Sequence, residues 1–404
     1  MVEQREAGSQ GRWHGLPRNV WAASATSFLT DVSSEMVINL LPLFLSNVLG
    51  VGTGVIGLIE GIAEATASLL KVGAGWLSDR LGTRKWLAVV GYALSTAAKP
   101  FFYLADSWVV VLVVRWTDRL GKGIRTAPRD ALVADSIEET QRGLAFGIHR
   151  AADTSGAVVG LLVALGVVWA TQSAAGALDR TTFQVVVLIS LVPAVLAVLV
   201  LAVAAQDAPT AGRARERPAI SFRGLGRPFL LFLLISGLFD LGNSSDAFLV
   251  LRAQERGLSV MAVLGTLIIF NVVYALVSTP AGVLSDRIGR RGVIAGGWLA
   301  YAAIYFGFGL AQHRWQIWIL YALYGAYYGL AYGTAKALVA DLVPAELRGT
   351  AYGTYNATLA LLDLPASVIA GALWRAFGAP ATFYFGGALA LTAAILFAIW
   401  RPGE

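Results

Sequence analysis

The chain contains no cysteine and only three histidines, His14, His149 and His313, among 404 residues. Without thiols there are no disulfides, thiolate metal sites, Fe–S clusters or cysteine nucleophiles, and three scattered imidazoles do not assemble a zinc centre. Metal and redox enzymology are therefore not expected, and no cofactor is implied. Charge is also scarce: 14% of residues are charged and 57% are hydrophobic, against roughly 25% charged in soluble proteins. Water is not the main solvent of this chain. A phosphate-binding loop of the G-x4-G-K-S/T type is missing, so ATP is not expected as the direct energy source. The net charge of +6 does not point to nucleic acid, because the bases fall in short clusters between apolar segments and form no basic soluble module.

What the chain does contain is apolar segments. A bilayer core about 30 Å thick needs roughly 20 apolar helical residues, and segments of that kind recur at 19–49, 53–77, 86–106, 108–133, 144–170, 182–205, 228–251, 261–283, 292–312, 315–340, 350–376 and 380–400. They predict an all-α integral membrane protein with twelve transmembrane spans. Residues 1–18 are polar, lack the apolar stretch of a signal peptide, and read as a short cytoplasmic tail. Bases concentrate in alternate loops: Arg80, Arg84 and Lys85, then Arg213, Arg215, Arg217, Arg223 and Arg227, then Arg287, Arg290 and Arg291. The intervening loops hold only scattered bases such as Arg180, Arg252, Arg256 and Arg314. The positive-inside rule then places both termini, including 401–404, in the cytoplasm of a cell whose inner membrane the chain crosses.

An internal repeat organises these spans. GWLSDRLGTRK at 75–85 returns as GVLSDRIGRRG at 282–292, ALVAD at 131–135 returns at 337–341, and Arg142-Gly143 returns at Arg348-Gly349. Two six-span halves, 19–205 and 228–400, follow, joined by the polar, basic, proline-bearing linker 206–227. An even number of spans per half makes the repeat parallel, about an axis along the membrane normal.

At these repeated residues the chain resembles the major facilitator superfamily, whose loop between spans 2 and 3 has the form G-x-L-A/S-D-R-x-G-R-R/K. Residues 282–291 match it throughout, and 75–84 match with Thr83 as the departure. The family's A-D-x-x-P-x-x-x-R-G segment fits ADLVPAELRG at 340–349, whereas ADSIEETQRG at 134–143 lacks the proline. The stretches TDVSSEM (30–36) and DRLGKGIRTAPRDALVADS (118–136) resemble a prokaryotic branch of permeases without an established substrate. The resemblance implies a monomeric secondary transporter working by alternating access, and no enzyme. It also implies a conformational latch in which Asp79, Arg80, Arg142, Asp286, Arg287 and Arg348 pair with helix ends on the cytoplasmic side. The plainer reading is that such pairs only stop helices at the interface.

Ionisable residues at bilayer depth cost at least ~2.5 kcal/mol each on insertion scales, so they mark cavities or ion pairs. Span 4 carries Arg115, Asp118, Arg119, Lys122, Arg125, Arg129 and Asp130 within an arc of about 140°. Counting from Trp108, Arg119 lies about 16 Å deep, near the midplane. Acids on neighbouring spans, Asp31 and Glu35 on span 1, Glu60 and Glu64 on span 2 and Asp153 on span 5, nearly balance these bases together with Lys71, Lys99 and Arg150. A purely structural ion-pair network is one reading. The functional reading makes Arg115, Arg119, Lys122, Arg150, Asn243, Tyr328 and Tyr332 substrate-binding, and Asp31, Glu35 and Asp240 proton-coupling. Its substrate is a small anionic or zwitterionic solute, with proton-coupled efflux of cationic amphiphiles as the alternative. Tyr321, Tyr324, Tyr328 and Tyr332 form a stripe on span 10 that suits either cavity lining or packing. Two rivals from other classes are weaker. His149 and Asp153 stand four apart on a helix but have no accompanying nucleophile, and a solute sensor would normally add a soluble domain.

Overall fold

A computed structural model describes residues 16–137, 142–172, 176–207, 224–288, 290–344 and 347–400. The N-terminal tail, most of the linker and the last four residues lie outside them. Every regular element among the described residues is helical, as a bilayer demands of backbone amides that have no water to bond.

Spans 2, 4 to 6 and 8 to 12 are each one helix. They run over Thr53–Leu81, Trp108–Asp135, Arg142–Thr171, Arg180–Ala204, Val260–Ile288, Arg290–Leu310, Arg314–Asp341, Arg348–Phe377 and Ala379–Ile399. Three spans are interrupted. Span 1 runs Arg18–Ile38 and resumes over Leu41–Leu43 and a π-helical turn Phe44–Val48, because Pro42 lacks an N–H and its ring obstructs a continuous helix. Span 3 breaks between Lys85–Ala98 and Pro100–Tyr103 at Pro100. Span 7 runs Gly226–Gly242 and resumes at Ala247–Glu255. Asn243, Ser244, Ser245 and Asp246 offer the backbone local polar partners in place of the helical ladder.

Eight helices of the described residues are long and apolar enough to cross a membrane. The four spans outside that group are the second, third, fourth and tenth, which carry the charges and tyrosines noted above or, in span 3, are cut short by the break. Apolarity was given up where residues face other helices or a cavity.

Span 1 packs between spans 5 and 6, and span 4 between spans 2 and 3. In the other half span 10 packs on spans 8 and 9, and span 12 on spans 7 and 9. Arg252, 1% exposed, closes the end of span 9 by donating to the carbonyls of Phe308 and Gly309, both at 2.9 Å, a favourable place for a cation at a helix C-terminus.

The halves meet through spans 2 and 11 and through spans 5 and 8. At the end away from the basic loops, spans 2 and 11 touch backbone to backbone: a Cβ on Gly371 would lie 2.6 Å from the Thr53 carbonyl, and one on Gly61 would lie 3.1 Å from the Leu364 Cα. At Gly371 a Cβ would force the backbones apart, and at Gly61 it would be a tight fit. Towards the basic loops the same spans part, and a Cβ on Gly73 or Gly353 would meet nothing within 4 Å. The molecule is thus closed on the far side and open on the basic side.

Candidate functional site

The opening leads into two adjoining cavities between the halves. One, of about 670 Å³, lies toward the basic side between Lys71 and Asp130 of the N-terminal half and Asp240 and Asn356 of the other. The second, of about 400 Å³, lies deeper, between Glu35, Arg115 and Arg119 on one wall and Asp246 and Asn271 on the other. Glu64, Asn243, Tyr328 and Asp363 line both, so the two form one path to the middle of the membrane.

The N-terminal wall is a paired charge network. Arg115 grips Glu60 with both Nη2 and Nε, at 2.7 and 3.3 Å, and Arg119 meets Glu64 at 2.9 Å. Arg115 also lies 3.7 Å from Glu64 and 3.8 Å from Asp118. Glu60 and Glu64 stand one helical turn apart, as do Arg115 and Arg119, so two i,i+4 pairs on spans 2 and 4 interlock. Arg115 is 1% exposed; such a cation is tolerated only because a fork of hydrogen bonds repays part of its desolvation. The Arg119 Nε and Arg115 Nη1 still have no hydrogen-bond partner, which leaves each arginine a donor.

Arg125 and Arg129 of the span 4 stripe turn into the bundle. Arg125 donates to Ser95 at 2.6 Å and sits 4.5 Å from the Tyr92 ring centre. Arg129 bonds Asp130 and Ser27, both at 2.8 Å, and Lys99 bonds Ser33 and Ser34. These are contacts among spans 1, 3 and 4, the structural ion-pair reading of the sequence. His149 lies 3.4 Å from Ser27 and 3.8 Å from Asp153 in the same layer.

The C-terminal wall has a different chemistry. Asp240, Asp246 and Asp363 line the cavities. Asp246 accepts from the Tyr324 hydroxyl at 2.8 Å, Asn243 from the Tyr301 hydroxyl at 3.0 Å. Asp240 is 8% exposed and its Oδ2 has no hydrogen-bond partner. Phe239 and Trp298 stack beside it with centres 4.9 Å apart. Among the described residues, the bases lining the two cavities, Lys71, Arg115 and Arg119, all belong to the N-terminal half.

Of the residues expected to form the site, Arg115, Arg119, Glu35, Asp240, Asn243 and Tyr328 are brought to the cavities. Asp31 and Lys122 are half-buried and are not among the residues lining the cavities; Asp31 is an electrostatic neighbour of Asp153, Glu35, Lys122 and Arg125. Arg150 instead bridges the halves, donating to the Tyr274 hydroxyl with its guanidinium 5.4 Å from that ring centre. The tyrosine stripe divides: Tyr321 and Tyr324 are buried in an aromatic cluster, while Tyr328 lines both cavities. The side chains of Tyr332, Asp79, Arg142, Asp286 and Arg287 lie outside the described residues. Arg80 is exposed and rests 5.4 Å from the Trp76 ring centre, and Arg348 is exposed. Among the described residues, bridges on the basic side include Arg84–Asp135 at 2.6 Å and Arg290–Asp341 at 2.5 Å, one in each half.

Sequence reasoning counts Glu64 only among the acids that balance the span 4 bases and assigns no role to Asp246, Asp363 or Tyr327; all four line a cavity. A signal for Asp246 exists in the run Asn243-Ser244-Ser245-Asp246, four polar residues inside an apolar span, and irregular backbone at membrane depth belongs beside a cavity. Asp363 is the single acid in the sequence of span 11 and lies near its middle, itself a marker.

The family model for the Major Facilitator Superfamily matches residues 23–270 and 247–404. The chain belongs to that superfamily. An MFS-type transporter of Methanocaldococcus jannaschii, itself uncharacterized, is 36% identical over 387 residues, covering 94% of each chain. Among solved structures, the nucleoside transporter NupG superposes with a TM-score of 0.74 at 12% identity, covering 95% of this chain and 100% of that one. A D-xylose-proton symporter superposes with a TM-score of 0.75 at 16% identity, covering 95% and 97%. The twelve helices are thus the superfamily's two six-helix bundles, and the protein is a multi-pass membrane transporter of small solutes.

Proposed function

We propose that this superfamily transporter works by alternating access, is coupled to protons, and moves a small polar zwitterionic solute. The basic side is the cytoplasm, so the open cavity faces inward, and the segments 19–205 and 228–400 move as two bodies about the glycine seam of spans 2 and 11. The observation that carries the substrate class is the division of charge across the path: among the described residues, lining bases come from one half, and carboxylates without a base on their own wall come from the other. An anionic group is held by Arg119 and Arg115, the cationic end by the opposite wall.

Asp31, Glu35 and Asp240 are the coupling carboxylates in this reading. Glu35 is held by Asn39 at 2.7 Å, and the unpartnered Asp240 oxygen offers a place for a proton. The latch of Asp79, Arg80, Arg142, Asp286, Arg287 and Arg348 forms in the opposite, outward-facing state, when the basic ends close. A specific observation also favours the second reading, cationic amphiphiles: carboxylates outnumber bases along the path.

Uptake into proteoliposomes across matched anionic, zwitterionic and cationic solutes separates the two. The zwitterion is expected to accumulate under a pH gradient, and Arg119→Gln to cut that uptake about 10- to 100-fold while the protein stays folded. Replacing the coupling carboxylate by its amide abolishes accumulation and spares solute exchange. A preference for cations that survives Arg119→Gln replaces the first reading with the second.

A further inference from the structure

We infer that the C-terminal half holds a site for an organic ammonium group, between the carboxylates of Asp240 and Asp363 and the rings of Phe239, Trp298 and Tyr327. The inference deepens the reading above by assigning the cationic end of the solute to particular residues on spans 7, 9, 10 and 11.

A buried carboxylate normally has its oxygens satisfied. Asp240 is more than nine-tenths buried, yet its Oδ2 has no partner and its side chain lines the larger cavity. Asp363 is the charged group that acts on it across the same wall. Two carboxylates that line one cavity wall, with no base among the described side chains of that wall, attract a cation. The base that acts on Asp363 is Lys71, on span 2 across the cavity.

The surroundings select the kind of cation. A hard metal ion takes six or more oxygens in a shell, and no group of acids or histidines among the described residues is suited to hold one. Here the neighbours are aromatic. Phe239 stacks on Trp298 at 4.9 Å and approaches Tyr327 at 6.3 Å, and Trp298, Tyr327 and Phe239 are all at least nine-tenths buried. Rings fixed in this way present immobile quadrupoles, which attract an alkylated ammonium most strongly when water is excluded. A strongly hydrated small ion gains little from them. The cavity of about 670 Å³ leaves room for a bulky head group, and its open mouth gives access from the basic side.

Full-length protein in lipid nanodiscs, titrated with radiolabelled choline and with 3,3-dimethylbutan-1-ol, its uncharged isostere, tests the site. Choline is expected to bind saturably and the neutral alcohol at least about tenfold more weakly. Asp363→Asn and Asp240→Asn should each lower choline affinity about tenfold or more. Asp363 lies outside the coupling set, so its variant reads the site without reference to proton movement. Equal binding of choline and its isostere overturns the inference, as does choline binding by Asp363→Asn at wild-type affinity, or the lack of saturable choline binding by folded wild-type protein. The isostere comparison uses wild-type protein and does not depend on any variant folding. Zwitterion uptake that depends on Arg119, with no choline site, sinks this inference and spares the transport reading; choline binding without any zwitterion uptake does the reverse.

Discussion

The two walls of the central cavity descend from one repeated unit but have opposite electrostatic designs. On the N-terminal wall each cavity-facing arginine is locked to a glutamate one span away, Arg115 to Glu60 and Arg119 to Glu64. On the C-terminal wall the acids face tyrosines, an asparagine and stacked rings, with no lining base among the described residues. Paired charges fix helix register, because neither partner leaves without stranding the other in low dielectric. Unpaired carboxylates leave charge available to a solute. The first wall is therefore the more rigid, and the second the more receptive.

The largest effect that tests this contrast is structural. Glu60→Ala strands a guanidinium that is 1% exposed, and removal of one partner from a buried pair costs about 3–5 kcal/mol. We expect most of the protein to be lost from the monodisperse peak in size-exclusion chromatography, and the double change Glu60→Gln with Arg115→Met to recover it. Asp240→Asn on the other wall should stay folded; if it is lost to the same degree, the contrast between the walls is broken.

A middle-sized effect sharpens the description of the second wall. The Tyr301 hydroxyl holds the Asn243 side chain at 3.0 Å and lies 3.4 Å from the Gly242 carbonyl at the break in span 7. Tyr301→Phe keeps the ring stacking on Tyr305 and removes the hydroxyl with its bonds. The expected loss is about 0.5–1.5 kcal/mol, read as a lower melting temperature by tryptophan fluorescence. No change in melting would mean that the break does not depend on this tether.

The smallest effect concerns the repeat-related bridges at the basic end. Arg84 is 6% exposed and its partner Asp135 26%, whereas Arg290 and Asp341 are 34% and 50% exposed. Water screens the second pair more, and exposed pairs contribute about 0–1 kcal/mol. Asp135→Asn should therefore lower the melting temperature measurably and Asp341→Asn barely. Equal shifts would contradict an asymmetry between the halves at this level.

Much of this architecture is legible in the residue order. The duplicated GxLSDRxG segments mark the equivalent loops, and apolar run length marks the spans, since both depend on local composition. The span 4 stripe shows that Arg115 and Arg119 share a face. It does not show that Arg125 and Arg129 swing toward Ser95 and Ser27 while Arg115 and Arg119 meet span 2, because a helical arc of about 140° faces more than one neighbour. The same holds for the tyrosines of span 10, where Tyr324 and Tyr328 are one turn apart yet only Tyr328 lines the path.

By itself, the sequence determined the solvent of this protein, the number of its spans, the halves of its repeat and the presence of costly charge at bilayer depth. Each of these follows from hydropathy and periodicity, which are properties of neighbouring residues. Only the tertiary structure decided which charges are spent on one another and which face the path. Asp240 and Asp363, more than a hundred positions apart in the chain, become one wall only when spans 7 and 11 pack, and the partner a carboxylate finds or lacks is set by that packing.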